Sequence, residues 1–415
     1  MDKLALLGGN KVKTTEFGSG KRFGDAELQQ VKEALDQNTL FYWYGKKVKA
    51  FTQKFADMYQ VKYCVATTSG TASIHVALGA LGVGPGDEVI TSPITDMGSV
   101  IGILYQNAIP IFADLDPHTY NMDPASIEAR ITDKTKAIVV VHLAGGPADM
   151  DPIMAIARKH NVKVIEDCAQ SYQCRYKGRL AGTIGDIGCF SVNDFKHISA
   201  GDGGMVVTND EDLYLKAMRF ADKNYDRLAT SPSASRKIPF LAPNYRMSEL
   251  VGAVGLAQLD RLTWICDKRH QFGDKLTAGI KDLPGITPHV VLDGCESSYW
   301  FYMLRVDEKK AGVNRDTFSE ALNAEGIPSS AGYIPTCVYE YDLFQNKNAF
   351  DGTHVPFDSP YYGKEVDYHK GLCPVAEEIL ETAVRLNVNE FYTDQDLADT
   401  IAAIRKVATY YSAKK

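Results

Sequence analysis

Three short stretches combine residue types that can do chemistry. In Gly188–Asn209 (GCFSVNDFKHISAGDGGMVVTN) an apolar run leads into a polar turn containing Lys196, then into Gly201-Asp202-Gly203-Gly204, and then into a second apolar run. A lysine at the end of a strand in a parallel sheet stands where open α/β sheets take their ligands, and its amine can attack a carbonyl. In Val164–Ser171 (VIEDCAQS) a buried run ends on Glu166 and Asp167. Adjacent strand residues point to opposite faces, so only one of the two carboxylates can face a given ligand. That carboxylate can bind a metal, take a proton or pair with a cationic ring. In Val65–Ala72 (VATTSGTA) a strand passes through Ser69-Gly70-Thr71 into a helix, and hydroxyls beside free N–H groups at a helix start suit a phosphate.

Each stretch has an ordinary reading of its own: a solvated loop lysine, a strand-end cap, and the Ser/Thr that most often begins a helix. Together they fit one ligand. Pyridoxal phosphate needs a lysine for its aldehyde, a carboxylate that keeps its ring nitrogen protonated so that the ring can accept electrons, and a cradle for its phosphate. The carboxylate at Asp167 precedes Lys196 by 29 residues.

The elements that must position these groups are legible as alternating patterns. Candidate strands lie at Tyr63–Thr67, Glu88–Thr91, Ile109–Ala113, Ala137–Val141, Val162–Glu166, Gly188–Ser191 and Met205–Thr208, with helical stretches such as Ala72–Leu81 and Met150–His160 among them. The strands are apolar throughout, as in a sheet covered on both faces, and their alternation with helices predicts a mostly parallel, doubly wound sheet. Met247–Ile265 reads as a long amphipathic linking helix. Beyond it the pattern predicts a smaller α+β region, with helices at Phe272–Lys281, Asp316–Glu325 and Asp394–Tyr411 and a strand at Trp300–Val306. Residues 334–374 read as a long irregular loop, which in an enzyme is usually functional. The expected division is a large cofactor-binding domain over 1–255, N-terminal segment included, and a smaller C-terminal domain over 256–415.

Composition excludes several classes. The 415 residues are 45% hydrophobic and 23% charged, the balance of an ordinary globular protein with a sizeable core. Lys+Arg is 45 against Asp+Glu 52, with no basic block, so nucleic acid is not expected as a partner. The eight cysteines form no CxxC pair and share no metal-binding spacing with the nine histidines, so no metal site is expected. The start, MDKLALLGGNKVKT, does not read as a signal peptide, and no apolar run reaches membrane-spanning length. No membrane partner and a reducing cytoplasm are the expectation.

Along nearly its whole length the chain resembles the DegT/StrS family, the sugar aminotransferases of fold type I. The motifs that carry the likeness are LALLGG at the start, GxxVxxF near Gly45–Phe51, SGTAS, GPGDEV at Gly84–Val89, IEDCAQS, SxxxxKxIxxGDGGxxxTND at Ser191–Asp210, NYRMSELVGAVGLAQL at Asn244–Leu259 and YxxGLCPVAEEIL near the end. The resemblance implies a fold-type-I transferase with a large domain built on a seven-stranded, mostly parallel sheet, plus a smaller α+β domain. It implies pyridoxal phosphate as cofactor, passing through pyridoxamine phosphate. Lys196 would hold the aldehyde as a Schiff base and move protons, and Asp167 would pair with the ring nitrogen. Gln170 would reach the ring hydroxyl, and Ser69, Gly70, Thr71 and Ser191 the phosphate. Asn244 would reach the phosphate of the neighbouring subunit, in a homodimer with shared sites. His142 falls at a strand end near the ring, where a structural histidine is equally at home.

The chain departs from the family pattern in two places. Where the family stacks an aromatic residue on the ring face, PITDMGS offers Asp96, with Met97 beside it; the usual acid of the GEGG turn is Asp202. The implied reaction moves an amine from glutamate or glutamine to the ketone of a nucleotide-linked keto-sugar or an inosose-like cyclitol. Two alternatives stand beside it. A pyridoxamine-phosphate-dependent dehydratase has histidine in the lysine column, which Lys196 occupies here with His197 next to it. A non-catalytic relative that binds cofactor or sugar would have no reason to keep Asp167, Gln170 and Lys196 together.

Overall fold

Seven runs of β-branched and aliphatic residues become β1 (Tyr63–Thr67), β2 (Glu88–Thr91), β3 (Ile109–Phe112), β4 (Thr135–Val141), β5 (Lys163–Asp167), β6 (Ile187–Ser191) and β7 (Gly204–Thr208) in the computed structural model, which describes residues 3–414. They form one sheet in the order β1-β7-β6-β5-β4-β2-β3. Every neighbouring pair is parallel except those made by β7, which runs antiparallel to both β1 and β6. Six strands therefore point one way. The ends of β1, β6 and β5 share one rim, and β7 starts from that rim at Gly204.

Helices cover both faces, which is why the strands carry no polar alternation. Among them are α1 (Asp25–Asp36), α2 (Lys47–Tyr59), α3 (Gly70–Ala80) and α4 (Gly98–Tyr105). The expected linking helix is longer than its apolar stretch: α5 runs over Glu249–Ile280, 32 residues, and absorbs the separate helix expected at Phe272–Lys281. The physical reason is the link between the two, Cys266–Gln271, which holds no proline or glycine to stop a helix. α5 crosses residues 255 and 256 without a break. Its first half packs under the large sheet with Phe51, Phe55 and Phe190, and its second half enters a separate core with Phe318 and Ile404.

That second core is built on an antiparallel sheet of β8 (Ile286–Thr287), β9 (Phe301–Val306), β10 (Ser329–Ala331) and β11 (Ala383–Asn387), in the order β8-β9-β11-β10. Helices α6 (Arg315–Ala324) and α7 (Asp394–Ser412) complete it. The N-terminal segment lies on this layer: Leu4 is buried in its core, and the Lys13 ammonium reaches the Asp396 carboxylate at 2.6 Å. Residues 334–374 are irregular but not loose. Phe344, Phe357, Tyr362 and Tyr368 are buried against the β2–β3 edge, where Tyr368 donates to the Pro110 carbonyl at 2.8 Å. No helix among the described residues is long and apolar enough to cross a membrane.

Candidate active site

The rim formed by the ends of β1, β5 and β6 opens into a cleft of about 860 Å³ between the large sheet and the small-domain strands. Of the residues singled out from sequence, Ser69, Gly70, Thr71, Asp96, Asp167, Gln170, Ser191 and Lys196 line it. Met97 and Asn244 do not. Met97 packs against the large-domain core. Asn244 is exposed, its backbone paired in an isolated bridge with that of buried Asp222.

The β1–α3 turn is shaped for an anion. Ser69 caps α3, accepting the Ala72 N–H on its Oγ at 3.0 Å, and leaves the first helical N–H groups facing the cleft. Gly70 is needed for a close approach: a Cβ there would lie 2.6 Å from the Ser191 Cβ. Gly204 meets the same crowding, with Ser69 O at 2.4 Å from a Cβ built on it. The glycines thus let two strand ends and a helix start converge on one small polar hollow.

Asp167 and Glu166 take opposite faces of β5. Glu166 points away from the cleft and is fully buried. It accepts hydrogen bonds from His142 Nε2 at 3.0 Å and from the N–H groups of Gly182, Ile184 and Gly185. Burial pushes its pKa up, but those four donors outweigh it and hold the carboxyl below its usual 4.5. His142 takes the Ala148 N–H on Nδ1, so its proton sits on Nε2; it is structural and faces no ligand. Glu166→Ala is expected to destabilise the fold by about 3–5 kcal/mol, because the histidine and three amides lose their acceptor. Urea unfolding measures this. A carboxyl whose folded pKa is lowered stabilises above its unfolded pKa. The wild type therefore loses this contribution as pH falls below 4.5.

Asp167 faces the cleft, 4% exposed, and accepts the Ser99 hydroxyl at 2.6 Å and the Ala169 N–H at 3.0 Å. Ser99 has only one proton, so Thr95, 2.6 Å from it, donates to Ser99 in turn. Burial raises the Asp167 pKa against these bonds and against Lys196. A desolvated carboxylate with no ion-pair partner among the described residues is one that a cationic ring nitrogen would stabilise. Gln170 is fixed at both ends, accepting the Ala144 N–H and donating to the Tyr333 hydroxyl at 3.2 Å.

Lys196 stands in the turn after β6, its Nζ 4.0 Å from the centre of the Trp300 ring. Burial lowers its pKa, while Asp167 and Asp96 oppose the shift. A lysine displaced toward the neutral amine is the form that attacks a carbonyl. Its neighbour His197 turns inward, 1% exposed, and donates from Nε2 to the Ser298 carbonyl. Asp96 accepts the Gly98 N–H at 2.8 Å and presents no ring face. The sequence did not mark out six further lining residues: Thr95 and Ser99, which lie within the same PITDMGS segment as Asp96, and Arg22, Trp300, Tyr333 and Arg385, which join the cleft only through the tertiary fold.

The family model for DegT/DnrJ/EryC1/StrS aminotransferases matches residues 21–405. The chain belongs to this family. The aminotransferase is 39% identical over 373 residues to the GDP-perosamine synthase of Escherichia coli O157:H7, covering 89% of this chain and 96% of that one. It is 34% identical over 412 residues to a putative L-glutamine:3-amino-2,3-dideoxy-scyllo-inosose aminotransferase of Streptomyces kanamyceticus, covering 98% and 97%. Among solved structures it resembles an aminotransferase from Psychrobacter cryohalolentis, with a TM-score of 0.81 and 32% identity over 95% of this chain and all (100%) of that one. The fold-type-I architecture expected from sequence is therefore the observed one, and the aminotransferase depends on pyridoxal phosphate. The cleft fits that group: an amide-lined hollow where a Cβ at Gly70 would clash, a buried carboxylate without an ion-pair partner among the described residues, and a lysine with lowered pKa.

Proposed function

We propose that this aminotransferase moves an amine from glutamate or glutamine to the ketone of a nucleotide-linked keto-sugar or an inosose-like cyclitol, in aminosugar or aminocyclitol biosynthesis. The observation that carries the reading is the convergence of Lys196, Asp167 and the Ser69–Thr71 turn on one cleft. Pyridoxal phosphate, when bound, supplies an aldehyde and an electron-accepting ring. The chain's own residues do the rest. Ser69, Gly70, Thr71 and Ser191 hold the phosphate, Asp167 keeps the ring nitrogen charged, Gln170 orients the ring hydroxyl, and Lys196 moves the proton at the substrate carbon. A dehydratase reading needs a histidine facing the cleft, and His197 is buried on the Ser298 carbonyl instead. The eight unpaired cysteines suit a reducing cytoplasm. The test is a donor–acceptor screen on the purified protein. A visible cofactor band that bleaches with glutamate or glutamine and returns with a keto-sugar or inosose is the expected result; a band that no amino acid bleaches refutes the reading.

The same reading includes a homodimer with shared sites. Asn244 lies outside its own cleft, and nearby Leu241 is 93% and Phe240 51% exposed, an apolar surface that a partner would cover. Mixing Lys196→Ala with Asn244→Asp tests it. Each variant alone is expected to be nearly inactive, the second because a carboxylate would repel the phosphate. A mixed dimer has one site with both lesions and one with neither, so activity returns to about a quarter of the wild-type level at random equal mixing. No recovery, with mixed dimers shown to form, refutes sharing.

A further inference from the structure

Lys196 rides on a turn that burial does not hold. Asp194 and Phe195, just before it, are exposed, Phe195 to 80%. An exposed turn ordinarily gives its carbonyls to water and is free to move. Here the three carbonyls of Asp194, Phe195 and Lys196 are all taken by side chains from distant parts of the chain. Trp300 Nε1 donates to the Phe195 carbonyl at 2.7 Å. Arg22 takes the other two, donating from Nη1 to the Asp194 carbonyl and from Nη2 to the Lys196 carbonyl at 2.8 Å. The Asp194 carboxylate lies 3.6 Å from the same Nη1.

Arg22 is itself fixed. Its own carbonyl accepts Gln258 Nε2 at 2.8 Å and a bond from Arg261, both on α5. Gln258 is 1% exposed, donates also to Glu27 on α1 at 2.8 Å, and takes the N–H of Ser199, just past the lysine turn, on its Oε1 at 3.4 Å. Upstream, the chain is tied to the small domain, where the Gly18 N–H donates to the Asp396 carboxylate at 3.0 Å. Arg22 thus reaches the turn from a stretch pinned on both sides. A planar guanidinium with two outward donors can span carbonyls two residues apart, which a single ammonium cannot. Its fork faces the main chain rather than the amine, and the charges that oppose the burial shift of Lys196 are those of Asp167 and Asp96. The contribution of Arg22 to Lys196 is therefore one of geometry.

Building on the proposed transamination, we propose that Arg22 is a positioning residue for Lys196: by fixing the carbonyls on either side of Phe195, it sets the line along which the amine meets the cofactor and the substrate carbon. A proton moves fast only across a well-set distance, and a misplacement of about 1 Å costs on the order of 10²-fold in rate. Both half-reactions use the same amine, so both depend on the fork, while the binding of either substrate does not. The guanidinium is 30% exposed and the carbonyls it frees can turn to water, so its loss should cost little stability.

The test compares Arg22→Ala and Arg22→Lys with wild type, each as the holoenzyme. Arg22→Ala should slow the donor half-reaction with L-glutamate or L-glutamine about a hundred-fold in kcat and the acceptor half-reaction by the same factor, with each KM within about three-fold of wild type. Arg22→Lys, able to hold one carbonyl but not both, should regain about ten-fold of that loss. Without substrate, the visible circular dichroism of the lysine-bound cofactor should weaken in Arg22→Ala at unchanged absorbance, because it reports how firmly the chromophore is held. The urea unfolding midpoints should coincide. Wild-type rates and dichroism in Arg22→Ala overturn the inference, and so does a loss seen only in KM. A loss confined to the acceptor half-reaction also overturns it, by assigning the guanidinium to an anionic group of the acceptor. Should Arg22→Ala unfold early, Arg22→Lys decides: wild-type kcat and dichroism in that variant overturn the inference. A wild type that takes an amine from no amino acid sinks the functional reading together with this one. An active wild type beside an unaffected Arg22→Ala sinks this one alone.

Discussion

Lys196→Ala is expected to lower turnover by about 10⁴-fold or more while leaving the protein folded. The amine is the one group in the cleft able both to hold the cofactor aldehyde and to carry a proton at the substrate carbon. Losing both roles at once leaves no substitute, because no other lysine among the described residues lines the cleft. Stability should barely move. Among the described residues Lys196 has no side-chain hydrogen-bond partner, and it contacts the Trp300 face at 4.0 Å, an interaction of about 1 kcal/mol that is offset by removing a desolvated charge. The purified variant should lack the visible absorbance of lysine-bound cofactor and unfold at the wild-type urea concentration. An active variant would refute the role of Lys196, and a colourless wild type would refute the cofactor assignment.

Asp167→Asn comes next in size. The substitution keeps the shape, the Ala169 N–H bond and the Ser99 neighbour, so the cofactor should remain bound through dialysis. What is lost is charge. An amide cannot hold a ring nitrogen as a cation, and both half-reactions depend on that cation, so each should slow by about 10²–10³-fold. Equal losses with donor and with acceptor are the signature, since the ring nitrogen serves both directions. Near-normal rates would reduce Asp167 to a strand-end cap. The Thr95–Ser99 relay makes a related point. Ser99 spends its one proton on the carboxylate, which favours the ionised form against burial; an asparagine that keeps the Ala169 N–H on Oδ1 turns Nδ2 toward Ser99, whose hydroxyl must then reverse and accept.

Much of this molecule was legible without coordinates. The apolar strands announced a sheet covered on both faces, because a strand buried on both sides has no reason to alternate. The adjacent acids Glu166 and Asp167 had to take opposite faces, because the pleat has a period of two. Boundaries were harder. Phe272–Lys281 was expected as a separate helix, and the polar but helix-forming Cys266–Gln271 gave no stop, so propagation ran through into a single α5.

The sequence by itself determined the chemistry of the rim, since Lys196, Asp167, Gln170 and the Ser69–Thr71 turn each sit at the end of a strand whose apolar run is plain in the chain. Only the tertiary structure decided that His142 serves Glu166 and that His197 turns away from its neighbour's site. Only it brought β11, a five-residue strand with no helix-strand alternation to mark it, across the cleft with Arg385. The reason is one of range. Strand-end chemistry follows from local period and turn residues, which a few consecutive amino acids specify. The partner of a buried charge, or the absence of one, depends on side chains up to hundreds of residues away, brought together by the burial of two separate cores.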